Sequence, residues 1–193
     1  METVEQELAS RGVEILGPCT GLAQYSETLL QESALLDNFT QAEAEALGSV
    51  MTRVRAQPGQ VLIREGTTGD WMLLLLKGTV DVTKLSARGT PSRLAVIRSG
   101  ASVGEMSMLD SAPRYATCSA IEEVEAGVLT RDAIQRLIHE HPAIGAKLLV
   151  KLTQILAQRL RNTGNQLVRV RAGTAADASA AIKARLRRRA TDW

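Results

Sequence analysis

Hydrophobic residues change their spacing twice along this chain of 193 residues. Between residues 51 and 130 they fall in short runs such as Val61–Ile63 and Met72–Leu76, and runs of this length predict buried strands. Turns that contain glycine, at Gly66 and Gly78 among others, separate the runs. The centre of the chain is therefore predicted to be a sandwich or barrel of short strands, with Leu75–Val80 as its clearest hairpin. Further predicted strands contain Val54, Val80–Val82, Leu94–Val96 and Val124–Val128.

Helical patterns flank this β-rich centre. Thr40 and Glu43 have the spacing of a capping box, which predicts a helix that begins after Thr40. Thr130 is expected to cap a helix over residues 131–140, because its hydroxyl can accept from the first turn. Pro142 suits the first position of a second helix, which we expect to run to about Arg171.

The second of these helices carries apolar residues at heptad spacing. Leu149 and Leu156 fall on one heptad position, and Leu160 and Leu167 on another. Such a stripe predicts pairing with a second copy of the helix, so we expect a homodimer through residues 142–171. The alternative is one wide apolar face that covers the core of a monomer. Gly164 weakens the helix where the dimer seam would be longest.

Charge is segregated along the chain although the formal net charge is only +2. Residues 1–49 hold nine acidic side chains and one arginine, a net charge of −8. Residues 141–193 hold eleven lysines or arginines and two aspartates, a net charge of +9. The two ends are expected to attract each other, within or between subunits. A surface for another partner is the less economical interpretation.

Composition excludes several classes of protein. No apolar run approaches the roughly 20 residues that a membrane span needs. The acidic N-terminus does not have the form of a secretory signal, so Cys19 and Cys118 are expected to be reduced thiols of a cytoplasmic protein. His139 and His141 have no nearby cysteines or further histidines, and Ser107 is not in a Gly-x-Ser-x-Gly context. We therefore expect no catalytic residue, metal or cofactor, and no enzyme activity.

The segment from Gly104 to Thr117 contains the most specific chemistry. Gly104-Glu105 stands at the start of a predicted short helix, and Arg114 follows its end. A helix N-terminus offers free backbone N–H groups, and a guanidinium pairs well with phosphate. A carboxylate accepts hydrogen bonds from a ribose hydroxyl. Together these groups predict a site for a nucleotide phosphate.

The order Gly66, Gly78, Gly104-Glu105 and Arg114-Tyr115-Ala116 resembles the pattern of the cyclic nucleotide-binding domain family over about residues 34–171. This family occurs in catabolite-activator-type regulators, in regulatory subunits of cyclic-nucleotide-dependent kinases and in gated channels. The resemblance implies an α+β, mainly β fold. Its centre would be a cupin-like β-roll or jelly roll, flanked by N-terminal helices and a long C-terminal helix.

The resemblance also implies a role for each residue of the site. Arg114 would pair with the equatorial oxygens of a cyclic phosphate, together with backbone N–H groups of the Met106–Met108 turn. Glu105 would accept from the ribose 2′-hydroxyl, and a Cβ at Gly104 would block close approach of the backbone. The predicted ligand-binding residues are Gly104, Glu105, Met106, Ser107, Arg114, Tyr115 and Ala116.

Tyr115 departs from the family pattern, which usually has Ala, Ser or Thr there. Because a phenol is bulky, the base stays open between cAMP and cGMP, with cyclic di-GMP as an alternative ligand. No residue that caps the base is assigned. Thr153, Gln154 and Gln158 are candidates only by their position on the long helix.

Four segments are predicted: an acidic N-terminal helical extension (1–38), the cyclic nucleotide-binding β-roll with flanking helices (39–140), the long dimerisation helix (141–171) and a basic tail (172–193). The 23 residues after Val170 are too few for a winged helix-turn-helix, so sequence-specific DNA binding is not expected. The predicted function is a cytoplasmic cyclic-nucleotide receptor that signals by helix rearrangement to a partner protein of unknown identity. A nucleotide-free protein-interaction scaffold is the alternative.

Overall fold

A computed structural model describes residues 3–22 and 33–189, with side chains as far as Val168. Residues 23–32 of the predicted extension and the side chains of the basic tail lie outside this part. The described residues form nine strands and five helices. In chain order these are α1 (Val4–Ser10), β1 (Glu14–Pro18), α2 (Gln41–Ser49), β2 (Thr52–Ala56), β3 (Val61–Ile63), β4 (Trp71–Lys77), β5 (Thr79–Leu85), β6 (Pro91–Arg98), β7 (Ser102–Val103), α3 (Glu105–Asp110), β8 (Thr117–Ala120), β9 (Val124–Thr130), α4 (Arg131–Glu140) and α5 (Pro142–Arg189).

The strands form two antiparallel sheets that enclose one aliphatic core. One sheet has the order β1-β2-β9-β4-β7 and the other has the order β3-β8-β5-β6. Val80 and Val82 of β5 alternate with less buried residues and face the core, whereas β4 is buried along both of its faces from Trp71 to Leu76. The predicted mainly β fold, a jelly roll with N-terminal helices and a long C-terminal helix, is confirmed.

The predicted hairpin at Leu75–Val80 is wrong. Strand β4 pairs with β7 and β9, whereas β5 pairs with β6 and β8, so the chain passes from one sheet to the other at Gly78. Gly78 has a φ of +87°, and a Cβ there would lie 2.3 Å from the carbonyl oxygen of Glu123. A glycine is therefore needed where the chain crosses between the sheets, because the backbone there has a positive φ and leaves no space for a side chain.

Three strands that the periodicity did not predict, β1, β7 and β8, complete the sheets. Strand β1 contains Gly17 and Pro18, which are poor strand formers, and it forms because it pairs along β2 at the edge of the sheet. The extension is therefore not purely helical. Leu8 of α1 and Val13 are buried in the main core, at 0% and 3% exposure. The N-terminal segment is thus part of the jelly roll and does not lie loosely outside it.

The predicted helix boundaries are largely confirmed. Thr40 and Glu43 form both hydrogen bonds of the capping box, and the Thr130 hydroxyl accepts from the backbone N–H of Ala133 at 3.1 Å. Pro142 begins α5, which continues to Arg189, well past the predicted end near Arg171. The described helices include none that is both long and apolar enough to cross a membrane.

The chain divides after Leu152 into two compact units. Within the first unit, Lys147 and Lys151 of α5 form ion pairs with Glu43 at 2.7 Å and Asp37 at 2.8 Å. These pairs join two acidic residues of the first 49 to the first two lysines of the basic segment. The hydrogen bond from Lys147 lowers the pKa of Glu43, so this pair persists into mildly acidic solution.

The crossing at Gly78 predicts a specific loss of stability. Gly78→Ala is expected to lower the free energy of unfolding by about 2–4 kcal/mol, because it adds a clash with the Glu123 carbonyl to the strain of a positive φ. Gly59 has a φ of +84° but no atom within 4 Å of its Cβ position, so Gly59→Ala is the matched control for strain alone. Urea denaturation measures both variants. Equal losses would contradict the steric argument.

Candidate functional site

Gly104 places the start of α3 directly against Arg114. Its φ is +89°, and a Cβ there would lie 2.8 Å from Nη1 of Arg114 and 2.9 Å from Cδ1 of Ile63. A glycine is therefore required twice, for its backbone conformation and for this close approach. The predicted need for glycine at this position is explained here by the arginine side chain that packs on it.

Arg114 is a buried cation, and one nitrogen of its guanidinium has no hydrogen-bond partner among the described residues. The residue is 3% exposed, and its Nη1 donates to the carbonyl oxygen of Gly104 at 2.9 Å. Its Nη2 is buried and has no hydrogen-bond partner among the described residues. Burial lowers the pKa of the guanidinium, while the Glu7 carboxylate raises it. A buried arginine that retains a free donor is suited to bind an anion, since the charge is otherwise costly to bury.

The other predicted residues divide into a buried group and an exposed group. Glu105 and Ser107 are buried at 1% and 3% exposure, beside Gly104 in the first turn of α3. Ala116 is also buried and belongs to the main core. Met106 and Tyr115, in contrast, are 45% and 56% exposed. The structure thus brings Gly104, Glu105, Ser107 and Arg114 together and leaves two predicted side chains at the surface.

Lys84 holds Tyr115 in a defined orientation. Its Nζ lies 4.2 Å from the centroid of the Tyr115 ring and donates to the Tyr115 carbonyl oxygen at 2.7 Å. The same ammonium donates to Glu65 Oε1 at 2.8 Å, and this bond lowers the pKa of Glu65. The exposed ring is therefore held by a cation on one of its faces.

The loop between β3 and β4 contributes contacts that the sequence did not predict. The backbone N–H of Arg114 donates to the carbonyl of Thr67 at 2.8 Å, and the N–H of Gly66 donates to the carbonyl of Arg114 at 2.9 Å. The side chain of Trp71 lies against Arg114, with the guanidinium carbon 4.4 Å from the ring centroid. A tryptophan at the head of an aliphatic run, one of two in a chain with 3% aromatic residues, was the available sequence signal.

A solvent-open cavity of about 540 Å³ lies along the same loop. Its lining includes Glu7 of α1, the next residue after that helix, Arg11, together with Trp71 and Arg131 at the start of α4. Arg131 donates from Nε to the carbonyl of Met108 at 2.8 Å, and from Nη2 to the Ser111 hydroxyl at 2.9 Å. The end of α3 is therefore tied directly to the beginning of α4.

Cys19 and Cys118 are both buried free thiols, as expected. Burial raises the pKa of the Cys19 thiol to about 11, so it is not a reactive thiolate at neutral pH. Within the described ranges, no group of three or more His, Cys, Asp or Glu residues is arranged to hold a metal ion.

The sequence and the fold both match known proteins. A family described as cyclic nucleotide-binding domain matches residues 53–141. A cyclic nucleotide-binding domain from Methylobacillus flagellatus has a similar structure, with a TM-score of 0.74 and 31% identity over 84% of this chain and 91% of that one. Acetyltransferase Pat of Mycolicibacterium smegmatis is 37% identical over 61% of this chain, and the CRP-like cAMP-activated global transcriptional regulator of Mycobacterium tuberculosis is 28% identical over 73%.

The matched region is only part of these two curated relatives. The chain spans 36% of the acetyltransferase and 61% of the transcriptional regulator. The similarity therefore covers the domain described above, and the remaining parts of those proteins have no counterpart in it. On the family match, the two-sheet fold and its structural similarity, this chain belongs to the cyclic nucleotide-binding domain family.

Proposed function

We propose that this chain is a receptor for a 3′,5′-cyclic nucleotide, and that its ligand is cAMP. The observation that carries the proposal is the buried Arg114 guanidinium with Nη2 free to donate. A cyclic phosphate carries one negative charge, so it would neutralise this cation and accept its free N–H. The choice of cAMP over cGMP is supported by the relative from Mycobacterium tuberculosis, whose name describes it as cAMP-activated.

The ribose is proposed to bind at Glu105. Its carboxylate is buried one residue from Gly104, whose carbonyl already orients Arg114. An ionised carboxylate accepts a hydrogen bond from a 2′-hydroxyl and gains nothing from a deoxyribose. Arg114 and Glu105 would thus recognise the two features, cyclic phosphate and ribose, that all ribonucleoside cyclic monophosphates share.

Signal transmission is proposed to run from α3 to α4 through Arg131. Ligand contacts at the first turn of α3 would shift this six-residue helix, whose far end is bound by the Arg131 guanidinium. Arg131 directly follows Thr130, the N-cap of α4, so a shift of α3 would move α4 and the helix that follows it. The coupling free energy is limited to the difference in ligand affinity between the two states.

A homodimer through α5 completes the proposal. Leu149, Leu160 and Leu167 share the heptad stripe and are 37%, 74% and 59% exposed. Exposed leucines at this spacing are typical of a helix that pairs with another helix. The two free thiols fit a reducing compartment, which supports the cytoplasm as the location. We propose that this domain binds and signals, and does not itself catalyse a reaction.

Calorimetric titration with cAMP, cGMP and cyclic di-GMP tests the ligand. Arg114→Ala is expected to weaken binding by about tenfold to 150-fold, the value of one charge-assisted hydrogen bond of about 1.5–3 kcal/mol. Arg93→Ala is the matched control, because Arg93 is 62% exposed and pairs with Asp81 at 2.7 Å. No heat with any of the three ligands would refute the receptor and leave the interaction scaffold as the function.

Tyr115 is expected to influence which base is preferred. Tyr115→Ser removes the exposed ring that Lys84 holds, one residue from Arg114 in the sequence, so we expect the ratio of the cAMP to the cGMP dissociation constant to change by about threefold or more. Tyr115→Phe keeps the ring and should keep the ratio. An unchanged ratio in the serine variant, measured by the same calorimetry, would show that the ring lies away from the base.

The proposed dimer depends on leucines at exposed positions of α5. Replacing both Leu160 and Leu167 by Glu is expected to convert the dimer to a monomer in analytical ultracentrifugation at micromolar concentration. Asn165→Glu adds a charge at the heptad position farthest from the seam and should leave the dimer intact. A wild-type chain that sediments as a monomer would contradict the proposal.

A further inference from the structure

We infer that Trp71 is a positioning residue for Arg114, and that Glu7 of α1 fixes Trp71 in turn. The inference rests on the proposed function, since it assigns Arg114 to the ligand phosphate. It adds the N-terminal helix α1, which precedes the part of the chain that matches the family, to the support of the ligand site.

The indole of Trp71 covers one side of the guanidinium. The Arg114 Cζ lies 4.4 Å from the ring centroid, and Trp71 is only 1% exposed. A planar guanidinium stacks on an aromatic face and is attracted to it, most strongly where water is excluded. The indole and the hydrogen bond from Nη1 to the Gly104 carbonyl together fix the orientation of the guanidinium. In this orientation Nη2 has no hydrogen-bond partner among the described residues.

Gly69 restricts the guanidinium further. A Cβ at Gly69 would lie 2.5 Å from Nη2 of Arg114 and 3.0 Å from both Cζ and Nε. Gly69 is not among the residues with positive φ, so an alanine could adopt its backbone conformation. A methyl group at Gly69 would therefore displace Arg114 while removing nothing from the core. Gly69 and Trp71 together form what we call the arginine seat.

The arginine seat is anchored to α1 through Glu7. The indole Nε1 of Trp71 donates to Oε2 of Glu7 at 3.2 Å, while Oε1 of Glu7 pairs with Arg11. Arg11 also donates from Nη1 to the carbonyl of Leu62 at 2.9 Å, which ties α1 to strand β3. Because Leu8 of the same helix is fully buried, α1 is held firmly against the jelly roll. The Glu7 carboxylate also favours the charged form of Arg114.

If the arginine seat positions Arg114, ligand affinity depends on the stacking of the indole on the guanidinium and not on the volume of Trp71 alone. The test uses a Trp193→Phe background, in which Trp71 is the only tryptophan, and follows cAMP binding by calorimetry. We expect Trp71→Leu and Gly69→Ala to weaken binding about 5- to 30-fold. Trp71→Phe keeps an aromatic face but loses the indole N–H that donates to Glu7, so its loss should not exceed about fivefold.

Two further variants separate positioning from general stability. Gly164→Ala is the matched control for Gly69→Ala, since nothing lies within 4 Å of its Cβ position, and it should bind cAMP as the background does. Glu7→Ala releases the indole N–H, so we expect about a two- to fivefold loss of affinity. Thermal melting confirms that Gly69→Ala is folded at the temperature of the titration. Wild-type affinity in both Trp71→Leu and Gly69→Ala would overturn the inference.

A measurement without ligand tests the arginine seat independently of the receptor proposal. The emission spectrum of Trp71 should change in Arg114→Met and in Gly69→Ala, because both remove the guanidinium from the indole, and stay unchanged in Gly164→Ala. If the emission changes but no cyclic nucleotide binds to the background protein, the proposed function fails and the stacking geometry stands. If neither variant changes the emission, the inference fails whether or not cAMP binds.

Discussion

The buried charge of Arg114 is the interaction on which the rest of this site depends. Burying a cation costs several kcal/mol unless the protein compensates for the lost water. Here the compensation comes from the Gly104 carbonyl, the indole of Trp71 and the field of Glu7. Each of these contacts requires close packing, and for that reason Gly69 and Gly104 have no room for a side chain. An anion at Nη2 would complete the neutralisation. The buried charge of Arg114, which lowers the stability of the domain without a ligand, is therefore also what favours binding of an anion.

The two-sheet fold positions this cation by bringing distant segments together. Arg114 precedes β8 in one sheet, whereas Trp71 begins β4 in the other, and the two side chains pack against each other. The loop between β3 and β4 then closes over the arginine through backbone hydrogen bonds from Gly66 and to Thr67. The same loop carries the chain from one layer to the other, because β3 belongs to the sheet of β8 and β4 belongs to the other sheet. The site is therefore a property of how the layers are joined.

The segment before the residues that match the family model, which begin at residue 53, supports the site. Leu8 and Val13 contribute to the core, and Glu7 contacts the residue on which Arg114 stacks. On the proposed function, occupancy of the site would be sensed at two places, by α4 through Arg131 and by α1 through Glu7. The matched acetyltransferase and transcriptional regulator extend beyond the region that they share with this chain.

The sequence by itself determined the elements whose causes are local. Capping at Thr40 and Thr130 and the apolar runs of β2 to β6 and β9 depend on neighbouring residues, and the ordered set from Gly66 to Ala116 identified the family. Tertiary structure decided what depends on distant pairing. Strands β1, β7 and β8 have weak local patterns and form only because a neighbouring strand pairs with their backbone N–H and carbonyl groups. Strand β5 belongs to the sheet of β6 and β8, with which it pairs, and not to the sheet of β4. The contact of Trp71 with Arg114 joins residues 43 positions apart (114 − 71), and no spacing rule links them; only the packing of the two sheets brings the indole to the charge.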